Sequence, residues 1–442
     1  MLRLETEPSS MDKGFWSLSQ VDVDISARLQ RWTAVGSMAL IAATWRLWIP
    51  QTVFPQIPLF SILCTAPALC DWVCLVCLLT GLVVLAAGIS PRANTLGCIL
   101  VLVSIPMLFG LDQHRLQPWA YQLAIFTTIW LLCRVKPRLE WMQWLQISIY
   151  FYSALGKFDF EFLHTVGQQM LGALTKIAGR NESDINASMR LALVVAFPTT
   201  EFAIALGLVW PKTRRLAGIF AIGLHLVLIV ILGPLGLNHR LGVLIWNALF
   251  GIQAYYLFVV KRIDVSNDTI VEQQPAPNTS NRLMRSLQSL CGALMVLVIL
   301  LPCTERLGIW DHWPSWALYA PHSSRVSLEV AATSVHRLPT ELVALLNRPT
   351  TESEEMLDWI KVPLDTWSLQ SLNTPIYPQA RFQLGVSRHI ASFVEAEFQV
   401  RVTVLGTASR FTGRRQTNVY ESKEQTIKAG DLYWFNCEPR RL

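Results

Sequence analysis

Residues 215–237 read RLAGIFAIGLHLVLIVILGPLGL. Past Arg215 no charged side chain interrupts the run, and His225 is its one polar titratable group. A bilayer core is spanned by about 20 apolar helical residues. No water reaches the backbone there, so every N–H and C=O must be bonded within the element. The stretch therefore predicts a membrane-spanning helix. Eight further segments share its character, at about 31–49, 72–89, 96–111, 119–134, 140–156, 190–210, 240–260 and 286–304. The fold class expected is an all-α polytopic membrane bundle of about nine transmembrane helices with a small C-terminal α+β extramembrane domain. Prolines punctuate it: Pro50, Pro55 and Pro58 follow the first span, and Pro118 opens the fourth at a position helices tolerate.

Composition agrees. Of 442 residues, 52% are hydrophobic and only 15% are charged, against roughly 25% charged in soluble domains. That excludes a disordered chain, a collagen-like repeat and a small disulfide-stapled secreted domain, and it speaks against an ordinary soluble enzyme. The net charge of +6 comes without long Lys/Arg runs, so no nucleic-acid partner is expected; the partner is the lipid bilayer. Positive residues should mark the cytoplasmic side. Arg28, Arg31, Arg92, Arg134, Lys136, Arg138, Lys212, Arg214 and Arg215 fall on one side, whereas Arg115, Lys157, Lys176, Arg180, Arg190 and Arg240 fall on the other. This bias predicts a cytoplasmic N-terminus and, with nine spans, a C-terminal domain outside, in what we take for a bacterial plasma membrane. The first 30 residues are polar and carry Glu5, Glu7, Asp12, Asp22 and Asp24. No cleavable signal is expected, and the first span should insert itself.

Residues 1–30 form a polar segment and 31–320 the membrane domain, with a flexible linker at 263–285 rich in Asn, Asp, Gln, Pro and Ser. Residues 321–442 form the α+β domain. Val394, Ala396, Phe398, Val400, Val402 and Val404 alternate with polar residues, which predicts a strand over 394–404. Val326, Leu328 and Val330 suggest a second, residues 339–360 look helical, Gly413 sits in a turn, and 426–435 is expected to pair back. This domain is a candidate site for a protein partner or substrate.

Ionisable residues within spans are functional candidates by default. Glu201 and His225 each lie about 10 residues into adjacent antiparallel spans, about 15 Å deep. They are expected to face each other, either as a structural hydrogen bond or as a proton relay. Lys157 ends the fifth span, on the same side as Asp112, His114 and Arg115. Burial disfavours a charged amine, so a lysine in an apolar site can act as a base. The alternative is a snorkelling lysine paired with Asp159. Cys74 and Cys77 make a C-x-x-C pair in apolar surroundings that do not activate a thiolate. Cys303 and Cys437 would both lie outside and are a possible disulfide. No Cys/His spacing resembles a zinc site, so no metal is expected.

These motifs together resemble the HTTM family, the membrane domain of vitamin K-dependent gamma-carboxylase-like proteins. The stretch from Asp112 (DQHRLQPWAY) looks like the family's loop entering a helix, with Trp119 where the carboxylases have a functional His. The stretch from Ser153 (SALGKFD) resembles their catalytic-lysine segment and puts Lys157 on that lysine. Glu201 through His225 and the Trp313 segment (WPSWALYAP) look like later parts of the same domain. The resemblance implies a lyase-type or quinone-linked chemistry, with a quinol such as vitamin K hydroquinone in an apolar pocket. Lys157 would be the base at the outer face, with Asp112, Glu201 and His225 supporting it. Two other readings stay open. One is a DoxX-like thiol/quinone electron-transfer protein using Cys74 and Cys77. The other is a non-enzymatic membrane anchor presenting an outer partner-binding domain.

Overall fold

The structure is a computed structural model. It describes residues 10–181, 184–260, 279–346 and 359–441, the side chains of 10–19 and 279–284 aside. It is mostly helical. In chain order come α1 (Ser10–Ala43), α2 (Trp45–Trp48), α3 (Leu69–Ala87), α4 (Pro91–Leu111), α5 (Pro118–Leu132) and α6 (Val135–Lys157). There follow α7 (Phe160–His164), α8 (Val166–Ile177), α9 (Ala187–Val209), α10 (Pro211–Leu232), α11 (Leu241–Ala254), extended by a π turn to Val259, and α12 (Thr279–Leu300).

Six of the described segments are long and apolar enough to cross a membrane: α3, α4, α9, α10, α11 with its π turn, and α12 with the turn after it. The chain is a membrane protein. Apolar side chains face outward at helical spacing, such as Trp72, Val76 and Val83 on α3 and Leu216, Phe220 and Val227 on α10, all exposed. In water such surface would be unstable; against lipid tails it costs nothing. The α3–α4 hairpin packs backbone on backbone. A Cβ on Gly81 would lie 2.9 Å from the Gly97 carbonyl oxygen, so only glycine fits this approach.

The expected nine spans are thus not matched, although each expected segment is helical. The helix at α1 is 34 residues long and begins at Ser10. It takes in most of the segment expected to be a polar extension. The fourth, α5, has 15 residues, about 22 Å of helix. The fifth, α6, carries Lys136, Arg138 and Glu140 and buries Gln143 and Gln146. The two glutamines bond inside the bundle: Gln146 Oε1 accepts from Gln122 Nε2 at 3.5 Å and Gln143 Nε2 donates to the Leu257 carbonyl at 2.6 Å. Of the expected linker, 263–278 lies outside the described residues and the remainder is the start of α12.

The C-terminal part is an antiparallel four-stranded sheet in the order β2-β1-β3-β4, with β1 (Arg325–Ala331), β2 (Trp359–Val362), β3 (Val400–Leu405) and β4 (Thr417–Tyr420). Leu328 pairs with Val402 and with Val362 at the centre. Against it pack α15 (Ala380–Ala391) and α16 (Lys423–Gly430), while α14 (Leu364–Leu372), after the short α13 (Thr340–Val343), meets α2. Strand β3 is shorter than expected, because 394–399 turns instead. Gln399 Oε1 accepts from the Ala396 N–H, and the Glu395 and Glu397 carbonyls accept from Lys423 at the start of α16. The 426–435 stretch is not a strand; its first half is α16, and β4 pairs back in its place. In 339–360 only α13 is helical among the described residues, 347–358 lying outside them. Gly413 does turn, at φ +66°.

This domain is built onto the membrane domain. Arg415 clasps the Glu161 carboxylate with Nε at 2.9 Å and Nη2 at 2.6 Å. Arg381 Nε donates to Gln113 Oε1 at 2.8 Å. Near the end of the described chain, Arg440 reaches Asp71 at 2.7 Å, and Asp71 also meets Arg115 at 2.6 Å, with all three side chains fully buried. The loops before α3, after α4 and after α6 therefore share one side of the bundle with the sheet domain.

Candidate functional site

Lys157 is the last residue of α6. A lysine there extends past the last helical turn and can bend back along its own helix. It does so: Nζ donates to Ser153 Oγ, one turn earlier, at 2.7 Å. Nζ also lies 2.5 Å from Glu201 Oε2 on the adjacent α9. The two side chains are 8% and 13% exposed, so the pair is largely withdrawn from solvent.

The expected Glu201–His225 contact is not made. Glu201 takes Lys157, and His225 is held by a separate chain of hydrogen bonds. Asn247 Nδ2 donates to the Val243 carbonyl at 2.9 Å, so its Oδ1 is the atom turned to His225 Nδ1, at 3.0 Å. An amide oxygen only accepts, which puts the imidazole proton on Nδ1. His225 Nε2 is then the acceptor for the Tyr150 hydroxyl, at 2.8 Å. The expected Lys157–Asp159 pair is absent as well. Asp159 caps α7 through the Glu161 N–H and binds Arg306 Nη2 at 2.7 Å.

Lys157, Glu201 and His225 nevertheless converge, because all three line one cavity of about 570 Å³. Its other polar groups include Ser153, Tyr150 and Asn247. Most of the wall is apolar, with Trp119, Phe162, Met170, Phe197, Leu228, Trp246 and Phe250. Leu369, Ile376 and Pro378 of the sheet domain close one side of it. A mainly apolar cavity of several hundred Å³ with a few polar groups is the usual form of a small-molecule site.

Three contributors were missed in the sequence. Helix α8, with Val166 and Met170 on the cavity wall, is not among the elements expected; its apolar residues at helical spacing were the available signal. Tyr150 and Asn247 were passed over as ordinary span residues. The Trp313 segment contributes Leu318, Tyr319 and Ala320. In it Trp316 and Tyr319 hold left-handed backbone, φ +59° and +58°. Bulky residues seldom adopt this conformation, and such strain collects at ligand clamps.

Asp112 stands apart from the cavity. It caps the turn after α4, accepting from the His114 N–H at 3.1 Å and the Ile57 N–H at 3.4 Å. Burial pushes its carboxyl up to about 6, with the Arg115 charge opposing. His114 is beside it, against the Pro375 carbonyl at 2.8 Å, and burial pushes its imidazole down to about 4. The cysteines are all free: Cys303 is exposed, Cys437 is buried, and no disulfide joins them. Neither Cys74 nor Cys77 lines the cavity.

No protein-family model matches the chain, and no curated protein and no solved structure is detectably similar to it.

Proposed function

We propose that this chain is an integral membrane enzyme of the HTTM/gamma-carboxylase-like type that takes a quinol into the cavity, with Lys157 as the base. The observation that carries this reading is the Lys157–Glu201 pair on the wall of a mainly apolar cavity. The space accommodates a fused bicyclic ring, and the aromatic wall suits its faces. A quinol supplies an acidic hydroxyl and a ring that can be oxidised. Lys157 Nζ donates a hydrogen bond to Glu201 Oε2 at 2.5 Å, along which a proton can pass. When Glu201 takes that proton, Lys157 Nζ is a free amine able to accept another from a ligand hydroxyl. Ser153 keeps Nζ in place through the exchange. Tyr150 donates its O–H hydrogen bond to His225, which leaves its oxygen lone pairs to accept a hydrogen bond from a ligand. The orientation that follows from the Lys/Arg bias puts Lys157 toward the outer face.

The two alternatives have less support. Cys74 and Cys77 do not line the cavity, which weakens the thiol/quinone reading. The sheet domain is tied down by Arg381, Arg415 and Arg440, which does not suit a free-standing display domain.

The test is quinone binding by the detergent-purified full chain, wild type beside Lys157→Ala and Glu201→Gln. Lipid extraction and mass spectrometry should find a co-purified quinone in wild type and lose it in Lys157→Ala. A wild-type protein that carries no quinone and takes none up from added quinone would sink the reading.

A further inference from the structure

A second polar cluster lies on the way from the membrane helices to the sheet. Glu305 is in the 3₁₀ turn after α12, His312 follows seven residues later, and His322 precedes β1. Their side chains are 11%, 3% and 1% exposed. His312 Nδ1 is 2.8 Å from Glu305 Oε1, and its Nε2 is 2.9 Å from the Ala320 carbonyl oxygen. His322 Nε2 lies 3.1 Å and 3.0 Å from the two Glu305 oxygens. One donor atom from each residue falls within 4.8 Å of the others.

The hydrogen bonding dictates what belongs there. A carbonyl oxygen only accepts, so His312 Nε2 carries a proton. In neutral His312 the Nδ1 lone pair then points at a carboxylate oxygen, which also only accepts. Two acceptors at 2.8 Å repel each other, so either His312 carries a second proton as an imidazolium or a metal ion bonds to both atoms. The Ala320 carbonyl acts as the orienting partner that metal-binding histidines characteristically have on their far nitrogen. Arg306, whose charge reaches His322, is already satisfied by Asp159 and the Ala408 carbonyl.

We propose that Glu305, His312 and His322 bind one divalent transition-metal ion, with zinc the best fit to two imidazoles and a carboxylate. Three protein ligands leave a fourth position for water or a ligand oxygen. His312 and Ala320 line the same cavity as Lys157, so the ion borders the space assigned to the substrate. The sequence reading expected no metal, because spacings of seven and ten residues match no zinc motif. The rival occupant is a proton, with His312 an imidazolium.

The experiment uses the untagged full chain in detergent, stripped with a chelator and titrated with Zn²⁺ alone. A parallel titration with Co²⁺ reads the visible bands of a four-coordinate ion. Wild type should bind one ion per chain and show those bands. His322→Gln and Glu305→Gln should bind at least ten-fold more weakly. Absence of a stoichiometric ion in wild type, or unchanged binding in both variants, would overturn the proposal. If the variants do not fold, the wild-type Co²⁺ spectrum decides, and a spectrum of hydrated Co²⁺ counts against the site.

Discussion

Lys157 Nζ and Glu201 Oε2 lie 2.5 Å apart across the α6–α9 interface, with Ser153 as the other hydrogen-bond partner of the ammonium among the described residues. Each charge is buried because the other is there. Removing one member of such a pair leaves an uncompensated charge and costs about 3–5 kcal/mol, whereas neutralising both is far milder.

Lys157→Met alone should therefore lower the thermal unfolding midpoint in detergent more than Lys157→Met combined with Glu201→Gln. The combined variant should fold and lack activity. If the single and double variants unfold alike, the two residues are not coupled in solution.

The Arg115–Asp71–Arg440 triad has one anion for two cations, so its members are not equivalent. Asp71→Asn leaves two buried guanidinium groups without a counter-ion and should cost about 3–5 kcal/mol. Arg440→Gln leaves the Arg115–Asp71 pair at 2.6 Å intact and should cost less. Because Arg440 also donates to the Ala66 and Pro67 carbonyls, its loss should chiefly loosen the chain end. Limited proteolysis beside thermal unfolding separates the two effects. Equal destabilisation by both variants would contradict this ordering.

What could be read from the sequence follows from the range of the forces involved. The spans were legible because apolar character is a property of a single segment, as in 215–237. The partners of Lys157, Glu201 and His225 were not, since pairing depends on how each helix is rotated about its axis. A shift of one residue turns a helix by 100° and would point Glu201 away from Lys157. The alternation over 394–404 was misread because local bonds of Gln399 and Lys423 outcompete pairing in its first half. Glu305, His312 and His322 come together only through two turns that no periodicity marks.

Asp112 and His114 predict an unusual pH response. Asp112 titrates near 6 in the folded protein and near 3.9 when unfolded. The folded state therefore holds its proton longer, and stability is lost as pH rises from about 4 to about 6. His114 titrates near 4 folded and near 6.5 unfolded, so its contribution is lost as pH falls through the same window. The two slopes oppose, and wild-type stability should be nearly flat there on their account. Asp112→Asn keeps an acceptor for the Ile57 and His114 N–H groups and removes the charge. It should stabilise at pH 7 by up to about 3 kcal/mol, with no gain at pH 4. Unfolding midpoints across pH 4–7 would show the variant falling in acid where wild type does not. A parallel shift at all pH values would rule this out.

The chain from the Val243 carbonyl through Asn247 and His225 to Tyr150 fixes which imidazole nitrogen is protonated, and its two ends respond differently to substitution. Asn247→Leu removes the acceptor for His225 Nδ1–H and orphans a buried donor, at about 1–3 kcal/mol. Without that acceptor the proton is free to move to Nε2, where it would turn on the Tyr150 oxygen and make Tyr150 the acceptor. Tyr150 would then spend a lone pair on His225 and turn its O–H toward the cavity, so Asn247→Leu should weaken quinol binding although Asn247 bears no charge. Tyr150→Phe should weaken binding too but leave the His225 tautomer in place. Binding titrations combined with ¹⁵N-histidine spectra of the two variants check this. A tautomer unchanged in Asn247→Leu would mean that Tyr150, not Asn247, sets the proton on His225.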